Sequence, residues 1–296
     1  MKKFIMLFFS ILMLTHAAGA VDDGFLHLSQ TGLYEEFLER VPEIADTVKG
    51  IAGIEGMGKI TEADVDLDAA YPYYTKASYF SPDIHGTEDF QALVAEQEYY
   101  YWLFPITKNG KTALVAYMRK YPISEMAKAR YTKEELAEAE AKVGTWVYQW
   151  TKVVPEGTDW KSQMLSYGMD ADQITLVSAV PAQEAVMGVC VRDGQLTDVV
   201  SLSDAMFEVE GEGVEAFGLD DDGVATVQIG DIFSYEQAQD CFGRLELKPG
   251  AGDGLIGSRP VYQMVSEPQT NGTRWLWIAL PVAVIAAVGI YRKRTE

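Results

Sequence analysis

Three aspartates alternate along the chain at Asp64, Asp66 and Asp68, and carboxylate oxygens are the ligands that calcium prefers. A calcium loop of the EF-hand type needs glycine at its sixth position and glutamate at its twelfth, where this chain has Ala69 and Thr75. The pattern therefore fails as an EF-hand loop. Three aspartates on one face of a strand could still hold a cation, and a solvated strand face is the alternative. Calcium is the one cofactor that the sequence suggests.

Two further groups of residues could carry chemistry of this kind. Asp83, His85 and Asp89 are close enough along the chain for the imidazole to act as a base or a ligand, although a surface loop explains them equally. The run Asp-Asp-Asp-Gly at 220–223 lacks calcium-loop spacing and indicates a hairpin turn. The sequence contains no G-x-S-x-G, H-E-x-x-H, phosphate-loop or Cys-x-x-Cys motif, so the catalytic residues stay unknown.

The chain has two cysteines, Cys190 and Cys241. In an oxidising compartment they could form a disulfide, and closing a loop of about fifty residues would contribute about 4 kcal/mol in the chain-entropy model. Two buried thiols in an apolar core are the alternative.

Aromatic residues cluster at Tyr71, Tyr73, Tyr74 and Tyr79, and again over 99–102. Such groups could form a platform for a sugar or a peptide. In strands, aromatic residues also pack against one another across neighbouring strands.

The last thirty residues combine three features in a fixed order. Pro268, Gln269, Thr270 and Asn271 follow Glu267; an apolar run and a short basic tail come next. This order resembles the C-terminal sorting signal of Gram-positive surface proteins. The resemblance implies that the transpeptidase sortase cuts between the threonine and the asparagine and joins the chain to peptidoglycan. In that family the first motif position is usually Leu, Asn or Ser, whereas this chain has Glu267 there. A simple stop-transfer anchor is the alternative.

The apolar run is Trp275 to Tyr291, which contains no charged residue. Seventeen helical residues span about 25 Å, enough for a thin hydrocarbon core. The basic cluster at 292–294 predicts a cytoplasmic tail by the positive-inside rule. This segment is thus predicted to be a single transmembrane helix that anchors the chain in the membrane.

The other end of the chain has the parts of a secretory signal. Lys2 and Lys3 precede an apolar run that extends to Leu14, and Ala18-Gly19-Ala20 fits a signal-peptidase site. The mature chain would begin at Val21, outside the cell.

The charge balance limits the partners of the exposed part. It carries 43 of the 44 acidic residues and 18 of the 24 basic ones, a net charge of −25. That field repels phosphate backbones and excludes nucleic acid as a partner. It favours solubility.

Local patterns predict mixed secondary structure in the exposed part. Apolar spacing indicates two short helices that meet at Pro42, and the glycine-rich stretch 50–58 indicates a loop. Asn109-Gly110 indicates a hairpin between two strands. A stripe that includes Trp146 and Trp150 predicts a helix from Lys133 to Val153, capped by Thr132 with Glu135, and Thr87 is expected to cap another helix.

After Pro155 the pattern changes to short strands. The strands are expected at 174–180, 185–191, 196–202, 224–229, 245–247 and 261–265. Asp193-Gly194 indicates a second hairpin, and Ser234 with Gln237 a capped helix. Runs of strands joined by hairpins favour an α+β fold with antiparallel sheet. The predicted organisation is: signal peptide 1–20, extracellular α+β domain 21–265 with two lobes divided near 154 as one option, linker with the sorting motif 266–274, transmembrane segment 275–291, and cytoplasmic tail 292–296.

The sequence therefore predicts a protein displayed at the cell membrane or, after sorting, in the cell wall. We expect a non-enzymatic module that binds an extracellular ligand or shapes the envelope. An exported enzyme that acts on glycan through paired carboxylates is a second hypothesis, and a structural subunit of a surface polymer is a third.

Overall fold

The computed structural model describes most of the predicted extracellular domain. Its described residues are 23–75, 78–97, 100–121, 123, 128, 130–154, 157–169, 171–179, 185–210, 224–247 and 261–264. The signal peptide, the run 220–223, the sorting motif Pro268 to Asn271, the predicted transmembrane helix and the basic tail lie outside these residues.

The described elements are helices and strands in mixed order. Six α-helices are present among the described residues: α1 Tyr34–Leu38, α2 Val41–Ile54, α3 Thr87–Ala95, α4 Lys133–Lys142, α5 Trp160–Ser166 and α6 Tyr235–Phe242. Two 3-10 turns are Leu28–Gln30 and Glu62–Asp64. The strands are β1 Tyr71–Tyr74, β2 Tyr100–Lys108, β3 Lys111–Lys120, β4 Trp146–Val153, β5 Gln173–Ser178, β6 Val186–Arg192, β7 Gln195–Ser201, β8 Ala205–Glu210, β9 Val224–Val227, β10 Ile232–Ser234, β11 Leu245–Leu247 and β12 Val261–Met264.

Eight strands form one large sheet in the order β10-β7-β6-β5-β1-β2-β3-β4. Its pairings are antiparallel except between β1 and β5, where Tyr73 lies opposite Leu176. Strands from both sides of residue 154 thus share one sheet. The other four strands form a small sheet in the order β11-β12-β8-β9. The predicted α+β class with mostly antiparallel sheet is confirmed.

The two predicted hairpins are confirmed by their backbone angles. Asn109 and Gly110 have φ of 53° and 75°, and Asp193 and Gly194 have φ of 51° and 71°. Positive φ at both central residues is the signature of the tight turn that matches the twist of the flanking strands.

The predicted helix from Lys133 to Val153 is wrong in its second half. Its start is confirmed, because the Glu135 amide donates to Thr132 Oγ1 and the Thr132 amide donates to Glu135 Oε2. The helix ends at Lys142, and Gly144 then adopts a φ of 81°. The following aromatic and β-branched residues suit a strand and pair with β3 as β4.

Two other local expectations are also wrong. Helix α2 continues through Gly50 and Gly53 to Ile54 where a loop was expected, because Ala52 still lies in the core. The residue that caps α3 is Gly86, not Thr87. The Thr87 hydroxyl instead donates to the carbonyl of Gly194 at 2.8 Å, which ties the helix to the β6–β7 hairpin.

Alternating side chains of the large sheet build a core on each face. In β2, Trp102, Phe104 and Ile106 lie in one cluster, while Tyr101 and Leu103 lie in another. The first cluster packs against helices α1 and α2, and the second includes residues of α5. The sheet is therefore the middle layer of the described fold.

Candidate functional site

The three alternating aspartates do not lie on a strand, so the predicted strand-face site is wrong. Asp64 ends a 3-10 turn, and its carboxylate accepts from the Thr61 amide at 2.7 Å and from Lys108 Nζ at 2.9 Å. The Lys108 hydrogen bond lowers the pKa of Asp64 from its ordinary value. Asp66 accepts from the Ala69 amide. Among the described residues, no group of three or more His, Cys, Asp or Glu side chains is placed to hold a metal ion.

The two cysteines are thiols in the structure, which corresponds to the buried-thiol alternative and not to the disulfide. Cys190 on β6 belongs to the core cluster that contains Met164 of α5. Cys241 on α6 belongs to the cluster that contains Val189, whose side chain leaves β6 on the opposite face from Cys190. Because the sheet lies between the two thiols, the bond cannot form without rearrangement. Burial raises the pKa of each thiol to about 12.

In the loop that contains Asp83 and His85, the side chains of Ser81 and Asp89 bond to the backbone. The backbone amide of His85 donates to Asp89 Oδ2 at 2.9 Å, and the amide of Asp83 donates to Ser81 Oγ at 3.3 Å. The imidazole itself is exposed. Asp89 therefore serves the backbone ahead of α3 and does not orient a catalytic base.

Most of the aromatic residues predicted as a platform are buried and pack across neighbouring strands, whereas Tyr74 and Tyr100 are half-buried and stack on each other with centroids 5.4 Å apart, and Tyr99 lies outside the described residues. Tyr71, Tyr73, Tyr79 and Trp102 are buried. The Tyr73 and Tyr101 rings lie opposite each other on β1 and β2 with centroids 6.2 Å apart. These side chains hold the two strands together and present no surface to a ligand.

A partly buried charged cluster joins the start of the described chain to α5. Asp23 Oδ1 lies 2.8 Å from His27 Nε2, and Asp23 Oδ2 lies 3.1 Å from Lys161 Nζ. The Lys161 ammonium also lies 5.4 Å from the centre of the Phe25 ring. Burial raises the pKa of Asp23, but hydrogen bonds from Lys161 and His27 outweigh it and leave that pKa below its ordinary value.

Asp159 completes the cluster and has the opposite shift. Its Oδ1 accepts from the Ser162 amide at 2.9 Å and caps α5. Burial raises the pKa of Asp159, although the Ser162 hydrogen bonds oppose the shift. Two carboxylates with opposite shifts are the pattern of a glycan hydrolase. Here, however, Asp159 is only 4% exposed, and both Asp23 oxygens are already bonded. The cluster has a structural role.

Sequence reasoning missed this cluster. The i,i+4 spacing of Asp23 and His27 is visible in the sequence. Their contact with Lys161 depends on the packing of α5 beside the N-terminal segment, and no local sequence pattern predicts that packing.

A shallow groove of about 500 Å³ opens at the beginning of β4. It is lined by residues at the start of α2, just after β3, at the end of α4, in the turn that follows and in β4: Arg40, Glu43, Tyr121, Lys142, Thr145, Val147, Tyr148 and Gln149. Aromatic, amide and cationic groups of this kind recognise polar ligands by stacking and hydrogen bonding.

The charged residues that line the groove are two cations, Arg40 and Lys142, and one carboxylate, Glu43. Residues 108–154 carry nine basic and five acidic side chains, in a chain of net charge −20. Arg40 Nη1 is paired with Glu43 Oε2 at 2.8 Å. Lys120 lies over the Trp146 ring at 5.6 Å, and neither Lys120 nor Lys142 has a carboxylate partner within the described part of the chain. The groove therefore suits an anionic ligand.

The cation excess of residues 108–154 could be counted from the sequence, but the placement of Arg40 and Lys142 in one groove could not. Arg40 is brought beside β4 by α2, and Lys142 by the turn at Gly144.

Comparison with family models, with curated proteins and with solved structures gives no match. In the residues that the structure describes, no helix combines the length and apolar character needed to cross a bilayer.

Proposed function

We propose that this chain is exported, stays attached to the cell surface by its C-terminal segment, and binds an extracellular ligand in the groove beside β4. The observation that carries the proposal is the groove itself. Tyr121, Tyr148 and Gln149 line it together with Lys142, which has no carboxylate partner among the described residues.

The groove lining favours binding over glycan cleavage. A glycan hydrolase needs two carboxyl groups that flank the scissile bond. Among the groove-lining residues, the one carboxylate is Glu43, and Arg40 holds it at 2.8 Å. The remaining polar groups can orient a ligand, but they supply no paired acid and base.

The attachment part of the proposal rests on the two ends of the sequence. The compact unit that contains the groove ends at Met264, six residues before Thr270. After a sortase cut between Thr270 and Asn271, this unit would be joined to peptidoglycan by a short linker. Without the cut, the apolar run 275–291 would hold it at the membrane.

A single engineered cysteine tests whether the groove faces outward. Both native thiols are buried with a pKa of about 12, so they react slowly with a maleimide. We expect Gln149→Cys to be labelled on intact cells by a membrane-impermeant maleimide, with the wild-type chain as the unlabelled control. Labelling that requires cell lysis would contradict export.

The same cysteine reports occupancy of the groove. A bimane fluorophore on Gln149→Cys should change its emission when muramidase-released wall fragments or acidic peptides are added. An emission that stays unchanged with both probes would contradict ligand binding at this site.

Wall attachment has its own test. We expect muramidase to release a protein whose last residue is Thr270, and we expect Thr270→Ala to leave the chain in the membrane fraction. Finding 292–296 intact on all membrane-extracted wild-type protein would remove sorting and leave a stop-transfer anchor.

A further inference from the structure

We propose that the edge of β4 binds an extended acidic peptide, which adds to the large sheet as a further strand beside the groove. This inference rests on the proposed function and specifies its ligand class. The observations that carry it are the position of β4, the direction of its backbone groups and the local charge.

Among the described strands, β4 is the last of the eight-stranded sheet, next to β3. Residues 147–151 are half-buried, whereas Trp146 is buried. An edge strand presents unpaired backbone donors and acceptors on its outer side, and an extended peptide can pair with them.

The register shows which backbone groups of β4 face outward. The Tyr121 amide donates to the carbonyl of Thr145 at 2.8 Å, and Val147 lies opposite Arg119. Because hydrogen bonding alternates along an antiparallel strand, the amides and carbonyls of Trp146 and Tyr148 point away from β3. The Gln149 side-chain amide donates to the Tyr148 carbonyl at 3.2 Å, which agrees with this direction.

A β-bulge limits the length of the added strand. The pairing of β3 with β4 shifts between Tyr117 and Met118, which leaves Gln149 as the extra residue of β4. Bulges twist an edge away from regular pairing. The peptide therefore pairs with the straight part of the edge, from Trp146 to Tyr148, and its side chains reach the groove.

The local charge selects an acidic peptide. Lys142 lines the groove, and Lys120 lies opposite Trp146 across the ladder. The other end of the same sheet is different, because β10 is flanked by Asp231 and Glu236. Glutamates at alternate positions of an added strand would be attracted by Lys142 in the groove and by Lys120 one strand further in, and would be repelled at the β10 edge.

The test uses a short fluorescein-labelled peptide of alternating valine and glutamate, titrated by anisotropy against the full chain in a neutral detergent. Two N-methylated versions of the peptide block alternate sets of amides. Only one set can face the β4 edge, so we expect one version to lose binding by about tenfold or more and the other to bind like the parent. Replacing every glutamate by glutamine should weaken binding by at least about tenfold.

A matched pair of protein variants tests the charge. We expect Lys120→Glu with Lys142→Glu to weaken binding by about tenfold or more. Lys49→Glu with Lys111→Glu makes the same change in net charge away from the groove lining and should leave binding unchanged. Equal thermal unfolding of both variants and wild type shows that the fold is intact.

The other outcomes distinguish a failure of strand addition from a failure of the proposed function. Equal binding of both methylated peptides, or equally tight binding of a soluble polyglucuronate, means that charge alone attracts the ligand. Absence of peptide binding overturns strand addition, yet the proposed function survives if the fluorophore at position 149 still responds to wall fragments. Failure of the cell-surface labelling instead removes the proposed function and leaves the peptide result standing as chemistry of the fold.

Discussion

The ring of Phe37 lies against the ring of Trp146, with centroids 4.8 Å apart. Phe37 belongs to α1 and Trp146 to β4, and both side chains are completely buried. Phe37 also contacts Phe104 at 4.8 Å. The N-terminal helices are thus packed on the same strand whose outer edge we propose as the binding surface.

Phe37→Ala should destabilise the protein by about 3–5 kcal/mol, because it leaves a cavity among three aromatic rings. The adjacent residue Leu38 is 48% exposed, so Leu38→Ala serves as the control, with an expected loss of about 0.5 kcal/mol or less. Urea unfolding followed by tryptophan fluorescence measures both. Equal losses for the two variants would show that α1 does not pack as described.

Asp23→Asn should remove stability in a pH-dependent way. The pKa of Asp23 in the folded chain lies below its ordinary value of 3.8. Its contribution is therefore present above the unfolded value and is lost as the pH falls through the folded value. We expect wild type to exceed the variant by about 2 kcal/mol at neutral pH, and the difference to shrink in acid. A difference that is constant from neutral to strongly acidic pH would contradict the ion-pair account.

The two cysteines should be unreactive towards thiol reagents in the native protein. With pKa values of about 12, neither Cys190 nor Cys241 should react measurably with a thiol reagent at pH 8. After unfolding without a reductant, both should react. A denatured, unreduced chain with no reactive thiol would instead show the disulfide that the sequence suggested as one alternative.

Two glycines distinguish the observed helices from the expected ones. Gly144 has a φ of 81°, so Gly144→Ala should cost about 1 kcal/mol or more. Gly50 lies on the exposed side of α2 with open space around its Cβ position, so Gly50→Ala should stabilise by about 0.4–1 kcal/mol. Thermal unfolding measures both changes. If α4 continued through Gly144 and α2 ended at Gly50, Gly144→Ala would stabilise the protein and Gly50→Ala would destabilise it.

Local signals predicted the features that depend on neighbours in sequence. The Asn109-Gly110 turn was predictable because both residues tolerate positive φ. The helix cap at Thr132 was predictable because Thr132 and Glu135, which bond to each other's amides, are three residues apart. The stripe through Trp146 and Trp150 fits a helix by spacing alone. The alternating, aromatic residues of this segment fit a strand as well, and pairing with β3 decided the outcome.

Features that join distant residues were not predictable in this way. The groove brings Arg40 and Glu43 beside residues 142–149, and the charged cluster brings Asp23 to Lys161. Both depend on how helices pack on the sheet. The aspartates at 64–68 do not form a strand face, because Asp64 ends a 3-10 turn and Asp66 and Asp68 lie outside the described strands.

The pairing of Tyr73 with Leu176 also sets an order of events during synthesis. Strand β1 is central in the finished sheet, between β2 and β5. When the ribosome has made β1 to β4, those four strands can assemble, but one side of β1 stays open until the residues of β5, Gln173–Ser178, have also emerged. A nascent chain interrupted before β5 therefore exposes the unpaired, tyrosine-rich edge of β1. We expect the chain to be most prone to misassociation at this stage of synthesis.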